Sequence, residues 1–136
     1  PHDAPRLADR LRAAAKRLLN GVEWNFQIVG LEQAPSLDVQ RHLLLALKEM
    51  LHNVLRHAGA HRVEISLTVC DQRFVLEVRD DGRGGAGTSS GDGHGLMSLR
   101  HRAELLGGAL HFESRPGKGT QVSLNGSLLT GPKPSP

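Results

Sequence analysis

The stretch VRDDGRGGAGTSSGDGHGLMSL, residues 78–99, is rich in glycine and leads from an apolar, strand-like segment into a helical pattern. Gly82, Gly84 and Gly87 have the G-x-G-x-x-G spacing of a dinucleotide-binding loop. Such a loop requires a helix to begin directly after its glycines, inside a β-α-β unit. Residues 86–95, AGTSSGDGHG, have no helical periodicity, so the spacing is a coincidence and does not indicate a doubly wound parallel sheet.

The rest of the chain alternates between helical and strand patterns. Apolar residues at helical spacing predict helices over residues 6–19, about 37–58, with Ser36 as the N-cap, and 96–106, which Gly107-Gly108 would end. Strand patterns occur at residues 22–28, 62–69, 74–79, 109–114 and 119–124, the last four as two hairpins. A few long helices combined with antiparallel hairpins favour an α+β layer sandwich.

The composition is that of an ordinary soluble domain. The 136 residues suffice for one domain with a single buried core. No run of about 18 apolar residues could span a bilayer, and no secretion signal is visible. The single cysteine, Cys70, is expected to be a small core residue and favours the cytoplasm. Because the chain begins at Pro1 without a methionine, we expect a processed product or a fragment of a longer protein.

The charge of the chain does not indicate a nucleic-acid-binding protein. The formal net charge is +3, but the arginines are spread from Arg6 to Arg115. With only Trp24 and three phenylalanines, the chain lacks the interleaved basic and aromatic side chains that stack on single strands. We therefore expect no direct nucleic-acid partner.

The long helix predicted at residues 37–58 carries a continuous polar stripe opposite its apolar face. Glu49, Asn53, Arg56 and His57 follow one another at steps of four, three and one, which keeps them on one side of a helix. Asparagine is a poor helix former, so an ordinary solvated face would more readily carry another residue at position 53. An amide oxygen suits Mg²⁺, and a neighbouring carboxylate can polarise a nucleophile.

A second group of polar and glycine residues surrounds the glycine-rich stretch. Asp80 follows a strand, where its carboxylate can accept a hydrogen bond from an exocyclic amine such as that of adenine. The glycines after it allow the backbone to approach a ligand closely. Gly93-His94-Gly95-Leu96 precedes the third predicted helix, whose first amide groups would be free to meet an anion.

Taken together, the motifs resemble the ATP-binding catalytic domain of sensor histidine kinases, over roughly residues 40–125. In chain order they are Glu49-x-x-x-Asn53 with Arg56-His57-Ala58, Asp80-x-Gly82-x-Gly84, Gly93-x-Gly95-Leu96 with Arg100-x-Arg102-Ala103 and Leu106-Gly107-Gly108, and Gly117-x-Gly119-Thr120. The third block looks most like the subfamily whose response regulators carry helix-turn-helix outputs.

The resemblance implies a Bergerat fold, which is a two-layer α/β sandwich whose mixed, mostly antiparallel sheet is covered by helices on one face. It also implies ATP and Mg²⁺ as ligands. By position, Asp80 would bind the adenine amine with Thr120 at the same edge, Asn53 would hold Mg²⁺, and Glu49 would assist phosphoryl transfer. The other implied nucleotide contacts are Arg56, His57, Gly82, Gly84, Gly93, His94, Gly95 and Leu96, with residues 85–92 as a lid.

The implied partners are a phosphoacceptor histidine on a separate dimerisation domain and a response regulator. His2 is a poor acceptor because Pro5 would interrupt a helix around it. We expect residues 1–21 to form an N-terminal helix that could end a connecting or dimerisation segment, 22–125 the ATP-binding domain, and 126–136 a flexible tail. The domain would be cytoplasmic, attached to a membrane only through a longer parent chain. Another ATPase of the same fold, an anti-sigma Ser/Thr kinase and a pseudokinase remain the alternatives.

Overall fold

The computed structural model describes residues 4–56, 59–82 and 93–129, which form an alternating series of helices and strands. The elements are α1 (Ala4–Leu18), β1 (Glu23–Val29), α2 (Leu37–Arg56), β2 (Arg62–Cys70), β3 (Arg73–Asp80), α3 (Gly93–Leu105), β4 (Leu110–Ser114) and β5 (Thr120–Ser127). None of the described helices combines the length and the apolar character needed to cross a lipid bilayer.

The strands form one five-stranded sheet in the order β1-β2-β3-β5-β4. β1 runs parallel to β2, and every other neighbouring pair is antiparallel. A parallel neighbour requires a crossover connection, which α2 provides between β1 and β2. The predicted α+β sandwich with a mixed, mostly antiparallel sheet is therefore confirmed.

One face of the sheet is apolar and lies under the helices. The buried apolar side chains of the strands are Phe26, Val63, Ile65, Leu67, Phe74, Leu76, Val78, Val122 and Leu124, which share one core with residues of all three described helices. The alternate strand positions carry polar side chains such as Glu64, Glu77 and Arg79. This period-two pattern is expected of a sheet with one face packed on the core, and the helices cover one face as predicted.

Helix α1 is part of that core. It packs on α2, and its side chains Leu7 and Leu11 are fully buried. The helix begins at Ala4, two residues before the predicted start, because proline is tolerated in a first turn whose N–H groups have no helical partner. The expectation that residues 1–21 end a connecting or dimerisation segment stays a prediction.

Local signals in the sequence define the ends of α2 and α3. The Ser36 hydroxyl accepts a hydrogen bond from the Val39 N–H at 3.2 Å, which confirms the predicted N-cap of α2. After α3, Gly107 has a φ of 75° and the Gly108 N–H donates to the Ala103 carbonyl at 2.9 Å. This left-handed ending is the helix stop that the Gly-Gly pair predicts.

Three expectations from the sequence are wrong in detail. Helix α3 begins at Gly93 rather than at Leu96, so the glycines at its start belong to its first turn. Strand β5 continues to Ser127, where residues 126 and 127 pair with β3 instead of starting a tail. Cys70 is exposed rather than buried, because it lies at the end of β2 on the polar face of the sheet.

Candidate functional site

Asp80 and Thr120 lie opposite each other at one end of the sheet. Asp80 is the last residue of β3, Thr120 is the first of β5, and the two are register partners. Since side chains alternate between the faces of a strand, Asp80 shares its face with buried Val78, and Thr120 shares its face with Val122. The neighbour of Asp80 on β2 is the fully buried Val63. Asp80 and Thr120 therefore lie at the ends of two rows of apolar side chains, one on β3 and one on β5, on the face that the helices cover.

Hydrogen bonds hold both side chains in place. The Gly82 N–H donates to Asp80 Oδ1 at 2.8 Å, which turns the chain directly after the strand. The hydroxyls of Ser114 and Thr120 lie 2.9 Å apart in a hydrogen bond between β4 and β5. An ordered carboxylate acceptor and an ordered hydroxyl thus lie on adjacent strands at the edge where the sequence predicted an adenine contact.

The turn before Thr120 approaches Asp80 so closely that only glycine fits there. Gly119 has a φ of 81°, and a Cβ built on it would lie 2.0 Å from the Asp80 carbonyl oxygen. The second glycine of the G-x-G-T pattern is therefore explained by the packing of this turn on the backbone of Asp80.

Asp81 ties the end of β3 to the start of β2. Its Oδ1 accepts hydrogen bonds from the N–H groups of His61 at 2.8 Å and Arg62 at 2.9 Å. The bonds from Arg62 and His61 lower the pKa of this exposed carboxyl below its usual value. Because Asp81 directly follows Asp80, these bonds also fix the backbone that carries Asp80.

The polar stripe on α2 leads to the same end of the sheet. Glu49 and Asn53 are half-buried and one turn apart, and Arg56 is exposed at the last residue of the helix. Because α2 is the crossover that connects the parallel strands β1 and β2, its last residue lies toward the end of the sheet at which β2 starts with Arg62. Within the described ranges, no hydrogen bond engages the Asn53 amide, which leaves its oxygen available as a ligand.

An ion pair that the sequence did not predict connects Glu49 to α3. The Nε group of Arg102 donates to Glu49 Oε1 at 2.9 Å, and its NH2 nitrogen lies 2.8 Å from the same oxygen. The two side chains are only 18% and 23% exposed, respectively. Charge-assisted hydrogen bonds of this length in a partly buried position hold a carboxylate more firmly than an exposed pair would.

His42 extends the ion pair toward the start of α2. Its Nδ1 lies 3.0 Å from Arg102 NH1, and its Nε2 lies 3.8 Å from Asp38 Oδ2. Neither His42 nor Asp38 was predicted to belong to the site. The available signal was spacing, because position 42 lies two helical turns before Glu49 on the same stripe.

Part of the predicted site falls outside the described residues. His57, Gly84 and the predicted lid, residues 85–92, belong to this part, as does Ala58 of the same motif. Gly93, His94 and Gly95 lie in the first turn of α3. Leu96 is half-buried in the same helix.

The described residues fit a nucleotide-bound magnesium ion better than a metal held by protein alone. Within the described ranges, no three His, Cys, Asp or Glu side chains are grouped so that they could bind a metal. Mg²⁺ commonly takes one or two protein oxygens and completes its shell with phosphate oxygens and water. The Asn53 amide oxygen, on the stripe with Glu49, is suited to that role.

The chain has sequence relatives among known sensor proteins. The chain is 34% identical over 104 residues to the sensor histidine kinase LiaS of Bacillus subtilis (strain 168), covering 76% of this chain and 28% of LiaS. It is 38% identical over 90 residues to the nitrate/nitrite sensor protein NarQ of Escherichia coli (strain K12), covering 65% of this chain and 16% of NarQ. The chain thus spans less than a third of each relative.

Solved structures share the fold of this chain, and a family-level match identifies its family. The histidine kinase domain of a blue-light activated histidine kinase from Erythrobacter litoralis EL346 superimposes with a TM-score of 0.70 at 22% identity, over 92% of this chain and 60% of that one. The histidine kinase AdeS of Acinetobacter baumannii gives 0.68 at 18% identity, over 95% and 66%. Residues 38–128 match the sequence model of one ATPase family. The chain belongs to the histidine kinase-, DNA gyrase B- and HSP90-like ATPases, and it is an ATP-binding domain of that family.

Proposed function

We propose that this domain binds Mg-ATP and transfers its γ-phosphoryl group to a histidine on a separate dimerisation domain of the same parent protein. A response regulator then takes the phosphoryl group onto an aspartate. The chemistry takes place in the cytoplasm, and any membrane attachment belongs to the parent chain. The sensor-kinase relatives support this choice among the activities of the family.

The observation that carries nucleotide binding is the position of Asp80. Its carboxylate is an ordered acceptor at the end of an apolar row, with Thr120 opposite and Gly119 packed against its backbone. An adenine ring needs this combination, because its faces are apolar and its exocyclic amine is a donor. In the proposal, Asp80 accepts from that amine, and Thr120, Gly82 and Gly84 complete the same edge.

The phosphate end of the site is assigned to the polar stripe of α2 and the start of α3. Asn53 would hold Mg²⁺, which would supply positive charge to neutralise the phosphate oxygens. Arg56 and His57 contact the phosphates or the ribose. The first turn of α3, with Gly93, His94, Gly95 and Leu96, offers backbone N–H groups to the phosphates.

Phosphoryl transfer needs an acceptor nitrogen with a free lone pair. That lone pair attacks the γ-phosphorus, the bond from the γ-phosphorus to the bridging oxygen breaks, and its electron pair leaves with ADP. The proton on the other ring nitrogen must then be removed. We assign its removal to Glu49, whose carboxylate also orients the imidazole. In the relay to the regulator, the P–N bond breaks and a bond to a carboxylate oxygen forms.

The test is phosphorylation of the full-length protein with ATP labelled in its γ-phosphate. We expect label that is stable to base and lost in acid, as phosphohistidine is. The Asn53→Ala variant should lose the label, whereas Asn25→Ala, which truncates an exposed asparagine on the open sheet face, should keep it. Acid-stable label, or full labelling of Asn53→Ala, would contradict the proposal.

Nucleotide binding is tested separately by calorimetric titration with ATP and Mg²⁺. Asp80→Asn should bind ATP at least about tenfold more weakly, because a hydrogen bond to a charged acceptor contributes about 1.5–3 kcal/mol. Asp71→Asn is the matched control, since Asp71 lies in the exposed turn between β2 and β3. Equal affinities of the two variants would remove Asp80 from the adenine site.

A further inference from the structure

The guanidinium of Arg102 is held on two sides by α2. Its Nε group donates to Glu49 Oε1, its NH2 nitrogen lies 2.8 Å from the same oxygen, and NH1 lies 3.0 Å from His42 Nδ1. Both contacts with Glu49 therefore end on the same oxygen. Among the described residues, Glu49 Oε2 accepts no hydrogen bond. The carboxylate thus has one oxygen fixed by α3 and one oxygen available to a reacting group.

The contact with His42 defines the protonation state of that ring. Arginine has no acceptor and stays charged, so His42 Nδ1 must accept and the ring proton must lie on Nε2. Burial lowers the pKa of His42, the Asp38 carboxylate opposes this effect, and Arg102, Arg41 and His101 add to it. At neutral pH His42 is therefore neutral and can accept from Arg102. Below its pKa, the ring would donate at Nδ1 and repel the guanidinium.

We propose that Arg102 is a positioning residue for phosphoryl transfer, which holds Glu49 so that Oε2 meets the acceptor imidazole, while His42 fixes the plane of the guanidinium. The inference rests on the proposed function of Glu49. Arg102 lies on the helix that begins directly after the predicted lid, so the orientation of Glu49 depends on the placement of α3. Transfer then depends on the protonation of His42 as well as on Glu49.

The first test separates positioning from nucleotide binding in the full-length protein. Arg102→Gln should lower the maximal rate of histidine phosphorylation by about 10- to 100-fold, because misplacing a catalytic group by about 1 Å can have an effect of that size. The KM for ATP should change by less than about threefold. Arg100→Gln is the matched control, since Arg100 is exposed on the same helix. A higher KM with an unchanged maximal rate would overturn the inference.

A double-variant cycle tests whether Arg102 acts through Glu49. If it does, Glu49→Gln combined with Arg102→Gln should be no slower than Glu49→Gln alone. Additive losses would mean that Arg102 acts independently and would overturn the inference. If Glu49→Gln itself keeps the full rate, the role proposed for Glu49 fails first. A wild-type protein that forms no phosphohistidine would instead reject the proposed function.

A pH series tests the role of His42 without changing Arg102. In His42→Asn, the amide oxygen takes the place of Nδ1 as an acceptor but does not titrate. The ratio of wild-type to variant rate, set to one at pH 8, should fall as the pH drops below about 6.5. Titration of the acceptor histidine cancels in this ratio because both proteins contain it. A flat ratio from pH 8 down to the lowest pH at which both proteins stay folded would overturn the inference, even if Arg102 variants fail to fold.

Discussion

Substituting Gly119 by alanine should reduce both stability and ATP affinity, and a nearby glycine provides an internal control. Gly117 and Gly119 belong to the same turn between β4 and β5, with φ values of 77° and 81°. A Cβ at Gly117 would meet nothing within 4 Å, whereas a Cβ at Gly119 would lie 2.0 Å from the Asp80 carbonyl oxygen and 3.1 Å from the Asp81 Cα. The two substitutions therefore share the backbone strain and differ in the contact.

The size of each effect follows from these contacts. A left-handed conformation costs an alanine about 1–2 kcal/mol, so Gly117→Ala should lose about that much stability. Gly119→Ala adds an overlap that only a backbone shift can relieve, and overpacking of this kind costs about 1–3 kcal/mol more. The shift must move Asp80 or the turn that carries Thr120. We therefore expect ATP binding to weaken about tenfold in Gly119→Ala and less than threefold in Gly117→Ala.

The measurements are urea unfolding of each variant without nucleotide and calorimetric titration with Mg-ATP. Unfolding midpoints are compared at a common slope, so that a change in stability is not confused with a change in the denatured state. Equal losses of stability in the two variants would refute the close approach of the turn to Asp80. A destabilised Gly119→Ala with unchanged ATP affinity would instead show that the nucleotide does not depend on the placement of Asp80.

Three further substitutions test single features of the fold. Asp81→Asn should be less stable than the wild type at pH 7. The Arg62 N–H is the main cause of the lowered pKa of this carboxyl, and the stability that the hydrogen bond gives is lost on protonation. The difference between the two proteins should therefore shrink as the pH falls below about 4. Urea unfolding from pH 3 to 7 measures this difference. Ser36→Ala removes the cap of the Val39 N–H and should cost about 1 kcal/mol in thermal unfolding. Leu99→Ala, at a fully buried position of α3, should cost about 2–5 kcal/mol in urea unfolding.

The features that the sequence predicts well are those that depend on neighbouring residues. The Ser36 cap, the Gly-Gly stop after α3 and the alternation in β2 and β3 each need only a few positions, and the structure confirms them. Cys70 was predicted wrongly because an apolar run does not say which of its positions face the core. Residues 126 and 127 were predicted wrongly because Asn-Gly is typical of a turn. In the structure Gly126 belongs to β5, pairs with Phe74 of β3, and leaves no room for a Cβ beside Leu106 and Phe74.

Pairing between distant segments is harder to predict from periodicity. The alternation in β1 indicates a strand with one buried face, but it fits an antiparallel neighbour as well as the parallel β2. The choice depends on α2, whose crossover returns the chain beside β1 in the same direction. Here the family resemblance supplied the mixed sheet.

The Glu49–Arg102 pair shows the same limit within the site. Helical spacing places Glu49 and Asn53 on one stripe, and Arg102 belongs to one of the motifs that resemble the family. Spacing alone, however, does not say which side chain of another helix contacts that stripe. The crossing depends on how buried Leu99 and Ala103 seat α3 on the core. A residue that serves the site by position alone is therefore visible only after packing is known. A Leu99 substitution that tilts α3 without unfolding it should accordingly slow phosphoryl transfer more than it weakens ATP binding.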